Sequence, residues 1–309
     1  MRCACIDIGS NTTRLLVADV AQGRLAAVVQ QRSFTRIGRA IAVDGLIPAE
    51  LIADIAEVVA RQREIADVAG AAHLRVVGTA AIRRAGNRDE LLATLREIAG
   101  VEVMIVPGEH EARLAFAGAT RTLESPLEGT IAVVDVGGMS TEIAVGTMAG
   151  GVTWARSYAI GSSALAAGCR EDPPSAADIE AMRAAARAAF EGGHEGDPAT
   201  GDEDGAGGAA TRGIPPADHA LAVGGSAASL PTLVGPVLDA AALERALAVL
   251  ASGPAEEVAR AYELVPERIQ LLPAGILVLG AAAERLGRPL RIGRGGLREG
   301  VVLELAAGN

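Results

Sequence analysis

The chain has 309 residues, half of them apolar, and a formal net charge of -10 at neutral pH. That length suggests about two domains, and that charge opposes non-specific binding to nucleic acid or to an anionic membrane. Aromatic residues make up only 2% of the chain, too few for base-stacking platforms, and no lysine is present, which excludes a P-loop lysine or a Schiff-base lysine.

Any clamping of phosphate must therefore come from arginine, whose planar fork suits it. The three cysteines are Cys3, Cys5 and Cys169. Cys3 and Cys5 lie two apart on a predicted strand and share a face. No second C-x-C or C-x-x-C completes a four-ligand metal site. The count is odd, the N-terminus has no leader pattern, and no apolar run reaches the ~18 residues of a membrane span. A soluble cytoplasmic protein is expected.

In chain order, residues 3–8, 13–20 and 24–31 read as a meander of strands. Leu51, Ile52, Ile55, Val58, Val59, Ile65 and Val68 recur at helical spacing, which predicts a helix over 51–68. A buried strand follows at 74–78, a helix at 89–99, a strand at 101–106 and a helix at 109–121 opened by Pro107-Gly108. The turn E-S-P-L-E-G around Pro126 marks a domain boundary, giving domains 1–124 and 125–309. The second domain restarts the pattern with strands at 131–135, 141–146 and 152–160. Helices are expected at 175–190, 240–251, 255–263, 267–286 and 297–306. A strand at 219–223 leads into Gly224-Gly225-Ser226. Residues 192–216, rich in Gly, Ala, Asp and Pro, read as a surface loop with little to bury.

Two segments look like copies of each other: C-I-D-I-G-S-N-T-T-R-L-L-V-A-D, with Asp7, and V-V-D-V-G-G-M-S-T-E-I-A-V-G, with Asp135. Each is an apolar strand, Asp-x-Gly, a small polar turn and a second strand. Such a turn can direct backbone N–H groups at an anion, while the acid beside it can hold a hydrated cation. Gly9, Ser10 and Asn11 form the first turn, and Gly137, Gly138, Met139 and Ser140 the second. A carboxylate at the end of an apolar strand needs a partner, and Mg²⁺ is a common one beside phosphate. Glu142 follows two residues after Ser140, on the side of the strand that alternation gives to Ser140.

G-T-A-A-I-R-R-A-G-N sets Arg83 and Arg84 just after a strand, where open α/β sheets bind ligands. Either could clamp phosphate or stand exposed at a helix start. P-G-E-H-E-A-R-L sets Glu109 and Glu111 at a helix N-terminus. The dipole favours acids there, so both a capping role and a general base for water fit these positions. His110 between them does not face its neighbours. The remaining histidines are scattered, and neither H-E-x-x-H nor G-x-S-x-G occurs.

At these residues the chain resembles the exopolyphosphatase / guanosine-pentaphosphate phosphohydrolase (Ppx/GppA) family. The matching blocks are I-D-I-G-S-N-T, V-G-T-A-A-I-R-R-A-G-N, P-G-E-H-E-A-R-L, V-V-D-V-G-G-M-S-T-E and G-G-L-R-E-G-V-V-L-E-L, with L-L-P-A-G-I-L-V-L before the last. The resemblance implies an α/β two-domain actin-like fold, shared with sugar kinases and heat-shock ATPases and related to ribonuclease H, with an active-site cleft between domains. It implies Glu111 as the base that activates water and Arg83 as the phosphate-binding arginine. It further implies Asp135 and Glu142 as magnesium ligands, and Ser10, Asn11, Gly137, Gly138 and Ser140 as the phosphate cradle. The implied reaction is in-line attack of water on a terminal phosphoryl group of inorganic polyphosphate. Guanosine pentaphosphate as substrate, and a non-catalytic polyphosphate or nucleotide sensor, are the alternatives. A homodimer is expected, without nucleic-acid or membrane partners.

The chain departs from the family pattern in three places. Met139 stands where D-x-G-G-G-S has its third glycine, and a side chain would cost about 1–2 kcal/mol there if the backbone were left-handed. Ala40 replaces a glycine in R-I-G-R-A-I. Longer members carry further C-terminal domains, so short polyphosphates or a nucleotide are the expected substrates here.

Overall fold

A computed structural model describes residues 1–169, 171–191 and 213–308. The expected loop at 192–216 lies outside the described residues except for 213–216, which have no regular structure. Met1–Ser125 together with Arg294–Asn309 form one compact unit, and Pro126–Gly293 form the other.

The strands of the first unit are β1 (Arg2–Ile8), β2 (Thr12–Ala21), β3 (Arg24–Phe34), β4 (His73–Gly78) and β5 (Val103–Ile105). They form one sheet in the order β3-β2-β1-β4-β5. β1 runs antiparallel to β2 and parallel to β4. The second unit holds β6 (Ile131–Val136), β7 (Thr141–Thr147), β8 (Gly151–Tyr158), β9 (His219–Val223), β10 (Val237–Leu238) and β11 (Leu290–Ile292). Its sheet has the order β10-β11-β9-β6-β7-β8. Apart from the added edge strand β10, this repeats the first sheet in order and sense, with β6 antiparallel to β7 and parallel to β9. Two copies of this five-strand order, each a meander feeding parallel crossovers, are the actin-like fold.

Both faces of β1 are buried. Cys3 and Cys5 join Leu16, Ala18, Val77 and Val106 in one cluster. Helix Ala49–Val68 packs against β1 and β2 with Ile52, Ile55, Ala56 and Val59 buried. The apolar stripe predicted for that helix ends early, because Val68 is 85% exposed at its last turn. Gln62 of the same helix is buried, and its amide donates to the Thr13 carbonyl at 3.2 Å.

The C-terminal helix Leu297–Ala307 corrects the predicted domain ends. It belongs with the first unit, where Leu297, Val301 and Val302 complete the Cys3–Cys5 cluster. The fit is backbone to backbone. A Cβ built on Gly300 would overlap the carbonyl of Leu114, and one on Gly118 would overlap Gly296.

The expected helix 267–286 is two helices, Pro266–Ile269 and Leu272–Leu286. Pro273 lacks an N–H and its ring disfavours a continuous helix through 269–272. The expected helix 89–99 is an α-helix over Arg88–Thr94 that widens into a π turn over Leu95–Ala99. The short helices Ile37–Asp44, Ala80–Arg84 and Ser162–Ala166 are not legible from apolar spacing.

Candidate functional site

The two Asp-x-Gly turns close identically. The amide of Gly9 donates to the Thr12 carbonyl at 3.0 Å, and that of Gly137 to the Ser140 carbonyl at 3.0 Å. In both turns the Asp-x-Gly glycine amide therefore serves the turn itself. The first turn is buttressed by the block after β3: the amides of Thr35 and Arg36 reach the Asn11 carbonyl at 3.1 Å, and that of Gly38 reaches the Ser10 carbonyl at 2.7 Å. Ala40 lies within the helix begun there, where alanine is favourable. The second turn is held through its carbonyls. Ser162 donates to Gly137, and Ser163 and Ala164 donate to Gly138, at 2.8 to 2.9 Å. Gly161 permits this approach, since a Cβ there would lie 2.5 Å from the Gly138 carbonyl carbon. Met139 is outside the left-handed region and buried, so the anticipated backbone cost is absent. Ser10 and Ser140 are both buried.

The residue across the strand pair from each acid differs. Asp7 lies opposite Arg14, whereas Asp135 lies opposite Glu142. Oδ1 of Asp7 is a buried oxygen without a hydrogen-bond partner among the described residues. Burial holds the Asp7 carboxyl above the usual carboxylate range, and Glu299 adds to this, while Arg298 and Arg14 oppose it. Arg298 and Glu299 open the C-terminal helix and are both nearly buried, 3.9 Å apart. Both belong to the closing block G-G-L-R-E-G-V-V-L-E-L, whose resemblance implies no role for them. Their signal was in the sequence: a charged pair between two glycines at the start of an apolar helix.

Glu109 and Glu111 separate clearly. Glu109 is exposed in the first turn of helix Gly108–Arg121, which suits a residue favoured by the helix dipole. Glu111 is 8% exposed. Its Oε2 accepts from Arg83 Nη1 at 2.9 Å, and the same nitrogen donates to the Val106 carbonyl at 2.5 Å. Arg83 and Arg84 end helix Ala80–Arg84, with Arg83 turned in onto Glu111 and Arg84 exposed. His110 faces the other way, its Nε2 3.4 Å from Glu304 of the C-terminal helix, which also pairs with Arg75.

In the second unit Asp135 and Glu142 are a directly paired residue couple on neighbouring strands, so both side chains lie on one face of the sheet. Glu142 is 2% exposed, and Ser157 of β8 donates to its Oε1 at 2.7 Å. Gly224 follows β9 in the left-handed region at φ 84°, and a Cβ there would overlap Oδ1 of Asp135. Two paired carboxylates, one deeply buried, suit a divalent cation. Among the described residues no three His, Cys, Asp or Glu side chains converge to hold a metal. Two carboxylates are within the number that Mg²⁺ takes, its shell being completed by water and phosphate oxygens.

The duplicated sheet with a matching Asp-x-Gly turn in each copy defines an actin-like protein. The chain belongs to the Ppx/GppA phosphatase family, whose sequence profile matches residues 16–308. It is 32% identical over 200 residues to exopolyphosphatase 2 of Mycobacterium tuberculosis, covering 62% of each chain. It is 31% identical over 143 residues to guanosine-5'-triphosphate,3'-diphosphate pyrophosphatase of Pseudoalteromonas translucida, covering 46% of this chain and 28% of that one. The matches thus span less than two thirds of the length of these curated relatives. Among solved structures, an exopolyphosphatase from Cytophaga hutchinsonii superposes with a TM-score of 0.82 at 19% identity, covering 100% of this chain and 98% of the other, which speaks to the fold. Among the described residues no helix is long and apolar enough to cross a membrane.

Proposed function

We propose that this chain is a Mg²⁺-dependent exopolyphosphatase that hydrolyses the terminal phosphoryl group of inorganic polyphosphate and releases orthophosphate. The observation that carries this reading is the buried Glu111–Arg83 pair at the start of helix Gly108–Arg121. An ion pair removed from water is weak evidence for stability, and it holds a carboxylate in one orientation, as a general base requires. In the proposed reaction, water attacks the terminal phosphorus in line, a P–O bond to water forms and the bridging P–O bond breaks. Glu111 takes the proton of the attacking water. Arg83 fixes the Glu111 carboxylate and places positive charge where negative charge develops. Ser10, Asn11, Gly138 and Ser140 line the turns that would receive phosphate oxygens, while Gly137 closes its turn. Asp135 and Glu142 would hold Mg²⁺, which when bound neutralises phosphate charge.

Guanosine pentaphosphate is the second substrate reading, favoured by the likeness to the guanosine pyrophosphatase of Pseudoalteromonas. Polyphosphate comes first because the exopolyphosphatase 2 match covers more of the chain. Orthophosphate release is measured from polyphosphates of defined length and from guanosine pentaphosphate, each with Mg²⁺. Release from polyphosphate is expected, with Glu111→Ala lowering kcat by at least about 100-fold while binding persists. Tight binding of either compound with no release from both would replace the enzyme by a sensor.

A further inference from the structure

The second sheet carries a row of three polar residues on adjacent strands. Asp135 of β6 pairs in register with Glu142 of β7, and Glu142 pairs in register with Ser157 of β8. Residues directly opposite across antiparallel strands put their side chains on the same face. The Ser157 hydroxyl donates to Glu142 Oε1 at 2.7 Å. Ser157 lies on the edge strand β8, and the other end of the row, Asp135 on the interior strand β6, meets the left-handed Gly224, where a Cβ would overlap its Oδ1.

We infer that Ser157 is a positioning residue for the divalent cation: its hydroxyl locks the Glu142 carboxylate in the orientation that leaves it facing the ion with Asp135. The inference rests on the reading of Asp135 and Glu142 as cation ligands. A hydrogen bond from a neutral hydroxyl stabilises a carboxylate without competing for its charge, and partners of this kind tune metal affinity by 10- to 100-fold. A long or charged residue at 157 would do otherwise: a lysine or arginine would neutralise Glu142 and displace the ion.

The test is calorimetric titration of the full chain with Mn²⁺, in the absence of substrate, for wild type, Ser157→Ala, Ser157→Thr and Glu142→Gln. Ser157→Ala is expected to raise the dissociation constant about 10-fold. Ser157→Thr, which keeps the hydroxyl, is expected to stay within about threefold of wild type. A melting temperature recorded without metal separates the roles. A Ser157→Ala protein that melts lower but binds Mn²⁺ like wild type overturns the inference and leaves Ser157 a structural residue. If Glu142→Gln weakens binding and Ser157→Ala does not, only the inference about Ser157 falls. If wild type and Glu142→Gln take up Mn²⁺ equally, the cation reading falls, and the inference with it.

Discussion

Asp7 and Asp135 hold the same place in two copies of one strand–turn–strand unit, yet Arg14 faces the first and Glu142 the second. The copies have therefore diverged in charge at one position. One presents an acid beside a guanidinium, the other two acids together. That difference is legible by laying T-T-R-L over S-T-E-I, once register is assumed from the matched turns. The sense of the Asp7 environment is not legible, because Arg298 and Glu299 arrive from the far end of the chain. Burial raises the Asp7 proton affinity in the folded state. The folded chain then binds more protons than the unfolded one above the ordinary carboxylate value, so this group's contribution to stability is present at low pH and is lost as pH rises through the raised value. Asp7→Asn is accordingly expected to melt higher than wild type at pH 7, with the gap closing as pH falls toward 4. Thermal melts across that range check it, and a constant or reversed gap would refute it. Met139 shows the opposite limit of sequence reading. Its departure from the family pattern suggested a strained turn, but the backbone there is ordinary and the side chain is buried.

At the scale of elements, the helix Gly108–Arg121 is placed by its neighbour. Its first turn carries Glu111, and its middle rests against the C-terminal helix through glycines. Gly300 faces the Leu114 carbonyl, which no rotamer change can move away. Gly300→Ala is expected to destabilise the protein by about 1–3 kcal/mol through overpacking. It is also expected to lower kcat, since any relief must shift the helix bearing Glu111. A denaturant midpoint and a phosphate-release rate measured together check both; an unchanged midpoint would show that the helices separate freely. Periodicity located both helices. Their glycines reveal only in three dimensions that the contact is backbone to backbone.

For the whole molecule, the chain returns to its beginning. Strands β6 to β11 build the second unit, and Arg294–Asn309 then rejoins the first. The returning helix covers Cys3, Cys5, Leu16, Ala18 and Val77. A chain ending at Gly293 would leave this apolar face open. It is expected to bind a hydrophobic dye and to lose the cooperative melt of the first unit while the second unit still unfolds cooperatively. Dye fluorescence with hydrogen exchange resolved by unit checks this, and full protection of β1 in the shortened chain would contradict it.

The sequence by itself determined strands β1 to β9 but not the short β10 and β11, most long helices, the twin Asp-x-Gly turns and the residues worth weighing. These depend on local periodicity and turn chemistry, which are written within a few residues. Only the tertiary structure decided that Glu111 rather than Glu109 is buried, that Arg83 rather than Arg84 turns inward to meet it, that Ser157 reaches Glu142, and that the last helix belongs to the first unit. Each of those depends on strand register or on packing between segments far apart in the chain, and local spacing carries no record of either.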